Sequence, residues 1–169
     1  IKYYSSVINE GLSLFKELCG YKASYFVASN SPEPKILEKD LKENSIEYLT
    51  RYKLQKYPLG DEKFEYEFNW LGKLNKYKQL IITRNCAFEP SDSSKNDWVD
   101  SCLADINNAF YWNKPAVIST HRVNYISVIN EKNGSLGLIK LNKLLKSIKR
   151  IWPDVEFITS NELGTLIKE

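Results

Sequence analysis

Hydrophobic positions recur at helical spacing in several stretches of the chain, with short apolar runs between them. Tyr4, Val7, Ile8, Leu12, Phe15 and Leu18 fall on one helical face, and Cys19-Gly20 stops the pattern where glycine suits a left-handed cap. Ala23 to Ala28 reads as a short strand, Ser29-Asn30-Ser31-Pro32 as a loop, and Pro34-Lys35-Ile36-Leu37 as the opening of a second helix ending near Asn44. Ile46 to Thr50 is a second strand, and Pro58-Leu59-Gly60-Asp61 reads as a turn. Phe64, Tyr66 and Phe68 alternate with Glu65, Glu67 and Asn69. This is a half-exposed strand for which Gln79 to Cys86 is the expected partner, making residues 64 to 86 an inserted antiparallel hairpin. Trp98, Val99, Cys102, Leu103, Ile106, Ala109 and Phe110 predict a third helix, with Ser94 and Asp97 as a capping pair. Ala116 to Thr120 is a nearly continuous apolar run of the kind buried on both faces, and His121 stands at its C-terminal end. Leu136, Ile139, Leu144, Leu145, Ile148 and Ile151 predict a fourth helix stopped at Trp152-Pro153. Val155 to Ile158 is a last strand before a terminal helix opened by Thr159 and Glu162. Such alternation of strand and helix implies an α/β fold of mainly parallel strands with right-handed crossovers, either an open sheet or part of a barrel.

Composition narrows the class. The 169 residues are 43% hydrophobic and include four Trp, seven Phe and eleven Tyr, enough to bury a core, so a single domain over residues 1–169 is expected rather than a disordered chain. Charged residues make up 27% with a net charge of +3, and no apolar run reaches the length of a membrane span. Neither a membrane-inserted protein nor a nucleic-acid binder dominated by charge is indicated. Cys19, Cys86 and Cys102 form neither a complete disulfide framework nor a CxxC pair, and the redox compartment stays open. The chain contains no Met and opens on Ile1-Lys2-Tyr3-Tyr4, which suggests a fragment or a processed chain. His121 is the one histidine, so a site with two or three His ligands cannot be assembled from these residues alone.

In parallel α/β folds the ligand crevice lies at the C-terminal ends of the strands. Those ends carry Ser29 and Asn30; Thr50 and Arg51; Thr83, Arg84 and Asn85; and Thr120, His121, Arg122 and Asn124. His121 can exchange a proton near neutral pH, as a general acid or base must, while Arg122 and Asn124 beside it suit a polar substrate or developing negative charge. A capped, hydrogen-bonded histidine at a strand end is the competing reading. Arg84 and Asn85 divide evenly between ligand contact and loop anchor. No GxGxxG or GxxxxGK[ST] pattern occurs. The basic stripe Lys140, Lys143, Lys146, Lys149 and Arg150 reads as a solvated helix face, and Asn133-Gly134-Ser135 matches a glycosylation sequon that chance also produces. Tyr52, Tyr57, Tyr66, Trp70 and Tyr77, in or near the hairpin, either stack on sugar rings or pack against a neighbouring layer.

The segments Arg84-Asn85-Cys86-Ala87-Phe88-Glu89-Pro90-Ser91, Trp98-Val99-Asp100-Ser101-Cys102, Lys114-Pro115-Ala116-Val117-Ile118-Ser119-Thr120-His121-Arg122-Val123-Asn124-Tyr125 and Trp152-Pro153-Asp154-Val155-Glu156-Phe157 resemble a bacterial branch of the polysaccharide deacetylase (NodB-homology) superfamily. The resemblance runs over the whole chain. It implies a portion of an irregular (β/α) barrel of the polysaccharide deacetylase type, its C-terminal part, with the family's metal-binding motifs upstream of this chain. It implies removal of an N- or O-acetyl group from a glycan, with His121 as the acid that protonates the leaving group. Arg84, Asn85, Arg122, Asn124 and Asn30 are the expected substrate contacts. The family's middle motif places an Arg and a Pro after the strand reading Tyr25-Phe26-Val27-Ala28-Ser29-Asn30; neither is present, and Arg84 is the candidate substitute. The implied cofactor is a divalent metal, zinc or similar, in the complete protein, with its ligands outside this chain. A barrel lacking its first strands would expose sheet edges, so an oligomer or an N-terminal partner segment is expected. The alternative function is a non-catalytic glycan-binding or scaffold domain that kept the barrel. A glycoside hydrolase needs two carboxylates, and Glu89 is the one acidic residue placed near a strand end.

Overall fold

Helical periodicity and short branched runs organise the chain as read. In the computed structural model, which describes residues 2–29, 33–94, 97–128 and 131–168, the elements are α1 (Lys2–Cys19), β1 (Tyr25–Val27), α2 (Leu37–Glu43), β2 (Tyr48–Thr50), β3 (Leu54–Gly60), β4 (Lys63–Phe68), β5 (Leu80–Ile82), β6 (Cys86–Ala87), α3 (Trp98–Tyr111), β7 (Ile118–Ser119), a 3-10 turn (Arg122–Asn124), α4 (Glu131–Ile151) and α5 (Ser160–Lys168). The fold is mixed α/β with small parallel sheets. It divides into two units, Ile1–Thr83 with Ile158–Glu169, and Arg84–Phe157. Among the described residues no helix is long and apolar enough to cross a membrane.

In the first unit, β1, β2 and β5 form a parallel sheet in the order β1-β2-β5, with Tyr25, Tyr48 and Leu80 in register. Leu41, Ile46, Leu49 and Ile81 are its buried centre, and Ile8 and Leu12 of α1 pack on them with Ala23 and Phe26. Each such aliphatic side chain removed from water contributes about 1.5–3 kcal/mol. Gly20, at φ 78°, ends α1 by donating its N–H to the Lys16 carbonyl (2.9 Å). On α5, Gly164 lies so close to the Tyr48 ring that a Cβ there would overlap it. Thr159 and Glu162 cap α5 reciprocally, Thr159 N–H to Glu162 Oε2 (2.7 Å) and Glu162 N–H to Thr159 Oγ1 (3.2 Å).

Five expectations are corrected. The partner of β4 is β3, with Leu54 opposite Phe68 and Tyr57 opposite Glu65, whereas the expected partner around Gln79 to Cys86 supplies β5 of the parallel sheet. Three consecutive branched apolar residues, Leu80-Ile81-Ile82, are all buried, and a two-stranded ribbon cannot cover both of their faces. The chain reverses between Lys73 and Lys78 and joins β5 to the segment just before it, with Gly72 N–H on the Ile81 carbonyl and Ile81 N–H on the Lys73 carbonyl. Pro58 sits inside β3 at a register shift, and the hairpin turns instead at Asp61-Glu62, both at positive φ. Val155 to Ile158 forms no strand: Val155 N–H turns back to the Trp152 carbonyl (3.1 Å) and its side chain joins the core of the second unit.

That core is Cys86, Phe88, Trp98, Val99, Cys102, Ile106, Leu144 and Ile148. Asp97 caps α3 by accepting the Val99 N–H (2.8 Å), while Ser94 bonds Asp92. The cap N–H foremost, and Lys143 with it, holds the Asp97 carboxyl below its ordinary range. The strand at Ala116 to Thr120 was expected to be buried on both faces. It is instead a two-residue, half-buried strand, β7, paired in parallel with β6, because a two-stranded sheet leaves one side uncovered.

Candidate functional site

The site of the second unit is set by the β6–β7 register. Cys86 lies opposite Ile118 and Ala87 opposite Ser119, and Phe88 N–H bonds the Ser119 carbonyl (2.8 Å). Two residues on from the paired Ala87 and Ser119 stand Glu89 and His121, and their side chains meet: His121 Nδ1 lies 2.7 Å from Glu89 Oε1. Behind them is Asn124, wholly buried on the 3-10 turn. Its Nδ2 donates to Glu89 Oε2 (2.6 Å) and to the His121 carbonyl (2.8 Å), and its Oδ1 accepts from Ser91 N–H (3.0 Å) and Ser91 Oγ (2.6 Å). Both donors and both acceptor positions of the amide are engaged. Glu89 is thereby held at both oxygens, and it fixes Nδ1 of His121 as the nitrogen bearing a proton in the neutral ring. The ring is 66% exposed and its Nε2 has no partner among the described residues. One nitrogen is oriented by protein and the other is open, which is the arrangement proton transfer requires.

The other expected site residues separate. Arg84 donates from Nη1 to Ser119 Oγ (3.1 Å) on β7, and Arg122 is exposed on the 3-10 turn next to His121. Asn85 accepts the Val117 N–H (2.7 Å) and donates to the Pro115 carbonyl (2.9 Å), so its amide clamps the chain entering β7. The amides of both Asn85 and Asn124 are thus engaged with protein partners. Asn30 lies outside the described residues. Ser91 and the pairing of Glu89 with His121 were not read from the sequence, because both depend on the parallel register of two-residue strands.

A glycine on α4 guards this arrangement. Gly137 packs against Asn124 so closely that a Cβ would overlap its carbonyl oxygen, and Gly134 packs likewise on Ser127. Gly137→Ala is expected to destabilise the protein by about 1–3 kcal/mol, the range of overpacking, and to move the His121 ring resonances in an NMR spectrum. A melt and spectrum unchanged from the wild type would show that α4 does not support Asn124.

Among the described residues no three His, Cys, Asp or Glu side chains come together in a way that would hold a metal ion. These residues do not bring together the donors that the implied zinc-like ion would need. Comparison with known proteins finds no matching family model, no matching curated protein and no matching solved structure.

Proposed function

We propose that the chain is part of a carbohydrate-active hydrolase that deacylates a glycan, a portion of a deacetylase-type (β/α) barrel in which His121 is the general acid. The observation that supports this reading most is the His121–Glu89 pair, braced from behind by buried Asn124 and by Ser91. In the acid form both ring nitrogens carry protons. The Nδ1 proton stays on the ring, hydrogen-bonded to Glu89, and the Nε2 proton passes to the sugar oxygen or nitrogen as its bond to the acyl carbon breaks, while water adds its hydroxyl to the acyl carbon and its remaining proton reloads Nε2. The exposure of Arg122 beside His121 supports its assignment as a contact for the polar substrate.

A second reading, a non-catalytic glycan-binding or scaffold domain, draws support from Tyr52, Tyr66 and Trp70, which are exposed in the first unit, whereas Tyr57 is buried. Incubating the protein with a panel of acetylated glycans separates the two. Acetate release is expected for the hydrolase, retention on the glycan without release would support the binding domain, and neither would overturn both.

A further inference from the structure

Two glutamates and one arginine lie buried together at the C-terminal edge of the β1–β2–β5 sheet. Arg51 directly follows β2, and its side chain is 1% exposed; those of Glu33 and Glu38 are 7% and 2% exposed. Arg51 Nη2 pairs with Glu33 Oε1 and lies 3.4 Å from Glu38 Oε1, while Nη1 donates to the Tyr57 hydroxyl of β3 (2.5 Å) and the guanidinium stands over the Tyr57 ring. The second oxygen of each glutamate, Oε2, is buried without a partner among the described residues. Two carboxylates thus face one guanidinium.

The surrounding cations do not make up the difference. Lys35 is committed to Glu65 (3.0 Å) and Glu67 (2.7 Å) on β4, and Lys73 to Glu67 (2.5 Å). Lys35 and the exposed Lys76 act on Glu38 only through space. These, with Arg51 and Tyr57, are the charged and titratable groups facing the glutamates. A second ionised carboxylate would remain buried with no cation of its own, a costly state that a bound proton removes.

We propose that Glu33 and Glu38 hold one proton between them on Arg51, making this cluster a proton-dependent clasp that fastens the β3–β4 hairpin to the edge of the sheet. Burial pushes both carboxyls above their ordinary range, against the opposing pull of Arg51 on both and of Lys35 and Lys76 on Glu38; Glu38 adds to the rise of Glu33, and Glu67 to that of Glu38. Burial also pushes the Tyr57 hydroxyl up to about 12, so the phenol stays neutral across the range in which the glutamates exchange their proton. The sign follows from linkage: a carboxyl that binds its proton more tightly folded than unfolded contributes stability below the ordinary carboxylate range, and loses it as pH rises through the folded value.

The test is thermal melting of the whole chain between about pH 5 and about pH 8, where ordinary carboxylates are already ionised. Wild type is expected to lose several degrees of melting temperature as pH rises. Glu38→Gln or Glu33→Gln, each an amide in the shape of the protonated acid, should lose most of that slope. Glu43→Gln, at an exposed position of α2, should keep it. Carboxyl carbon NMR shifts of the wild-type protein at about pH 6 read the proton directly, whether or not a variant folds. One of the two glutamates in the protonated range supports the clasp. Both in the ionised range, or a wild-type slope retained in both Gln variants, would overturn it.

Discussion

His121→Ala is expected to lower turnover on an acetylated glycan by roughly 100-fold or more, the scale of losing a positioned acid, while the melting temperature stays where it is. The two effects separate because the ring is largely exposed and contributes little to packing, yet it is held in one orientation by Glu89. Glu89→Gln should give a smaller loss, carried by kcat rather than KM, since the amide keeps the site's shape but not a carboxylate acceptor for Nδ1–H. An Ala variant that turns over normally per folded molecule would remove His121 from the chemistry. One that melts early would make it a structural histidine.

Arg51→Met is expected to be the most damaging single change to stability, costing about 3–5 kcal/mol in urea unfolding with the denaturant slope unchanged. It leaves Glu33 and Glu38 in the interior with no guanidinium and strips the buried Tyr57 hydroxyl of its donor. Lys39→Met removes a charge from the exposed Lys39–Glu43 pair (3.6 Å) and should change stability by no more than about 0.5 kcal/mol. Equal losses in the two variants would mean that the Arg51 cluster carries no special weight.

The helices were legible because their apolar positions repeat at helical spacing and their ends carry recognisable caps, as at Thr159 and Glu162. Leu80-Ile81-Ile82, branched and apolar throughout, was legible as a strand but not as a parallel one, because nothing local tells a strand which partner it will take. Strand β3 escaped because its pattern is inverted. Its buried positions are Gln55 and Tyr57, its outward Leu54 is exposed, and it contains Pro58, so alternation and residue type both argue against the strand that forms. The site was half visible. A polar residue after an apolar strand drew attention to His121, but Glu89 became its partner only through a register that composition does not encode. The buried Glu33–Glu38–Arg51 cluster has no periodic signature, and charged side chains ordinarily read as surface.

The β3–β4 ribbon is two-faced, and that has a bearing on how it finds its pairing. Gln55, Tyr57, Glu65 and Glu67 share one side, with Tyr57 on Arg51 and Glu65 and Glu67 on Lys35, while Leu54, Lys56, Phe64, Tyr66 and Phe68 share the other. A strand displaced by one residue turns every side chain over. Such a slip in β3 would present Lys56 to Arg51 in place of a phenol, setting two cations against each other inside the sheet edge. Hydrophobic pairing alone would tolerate the error, since aromatic rings lie along the open side. The ionic cluster therefore favours the native alignment of the ribbon over its one-residue slip.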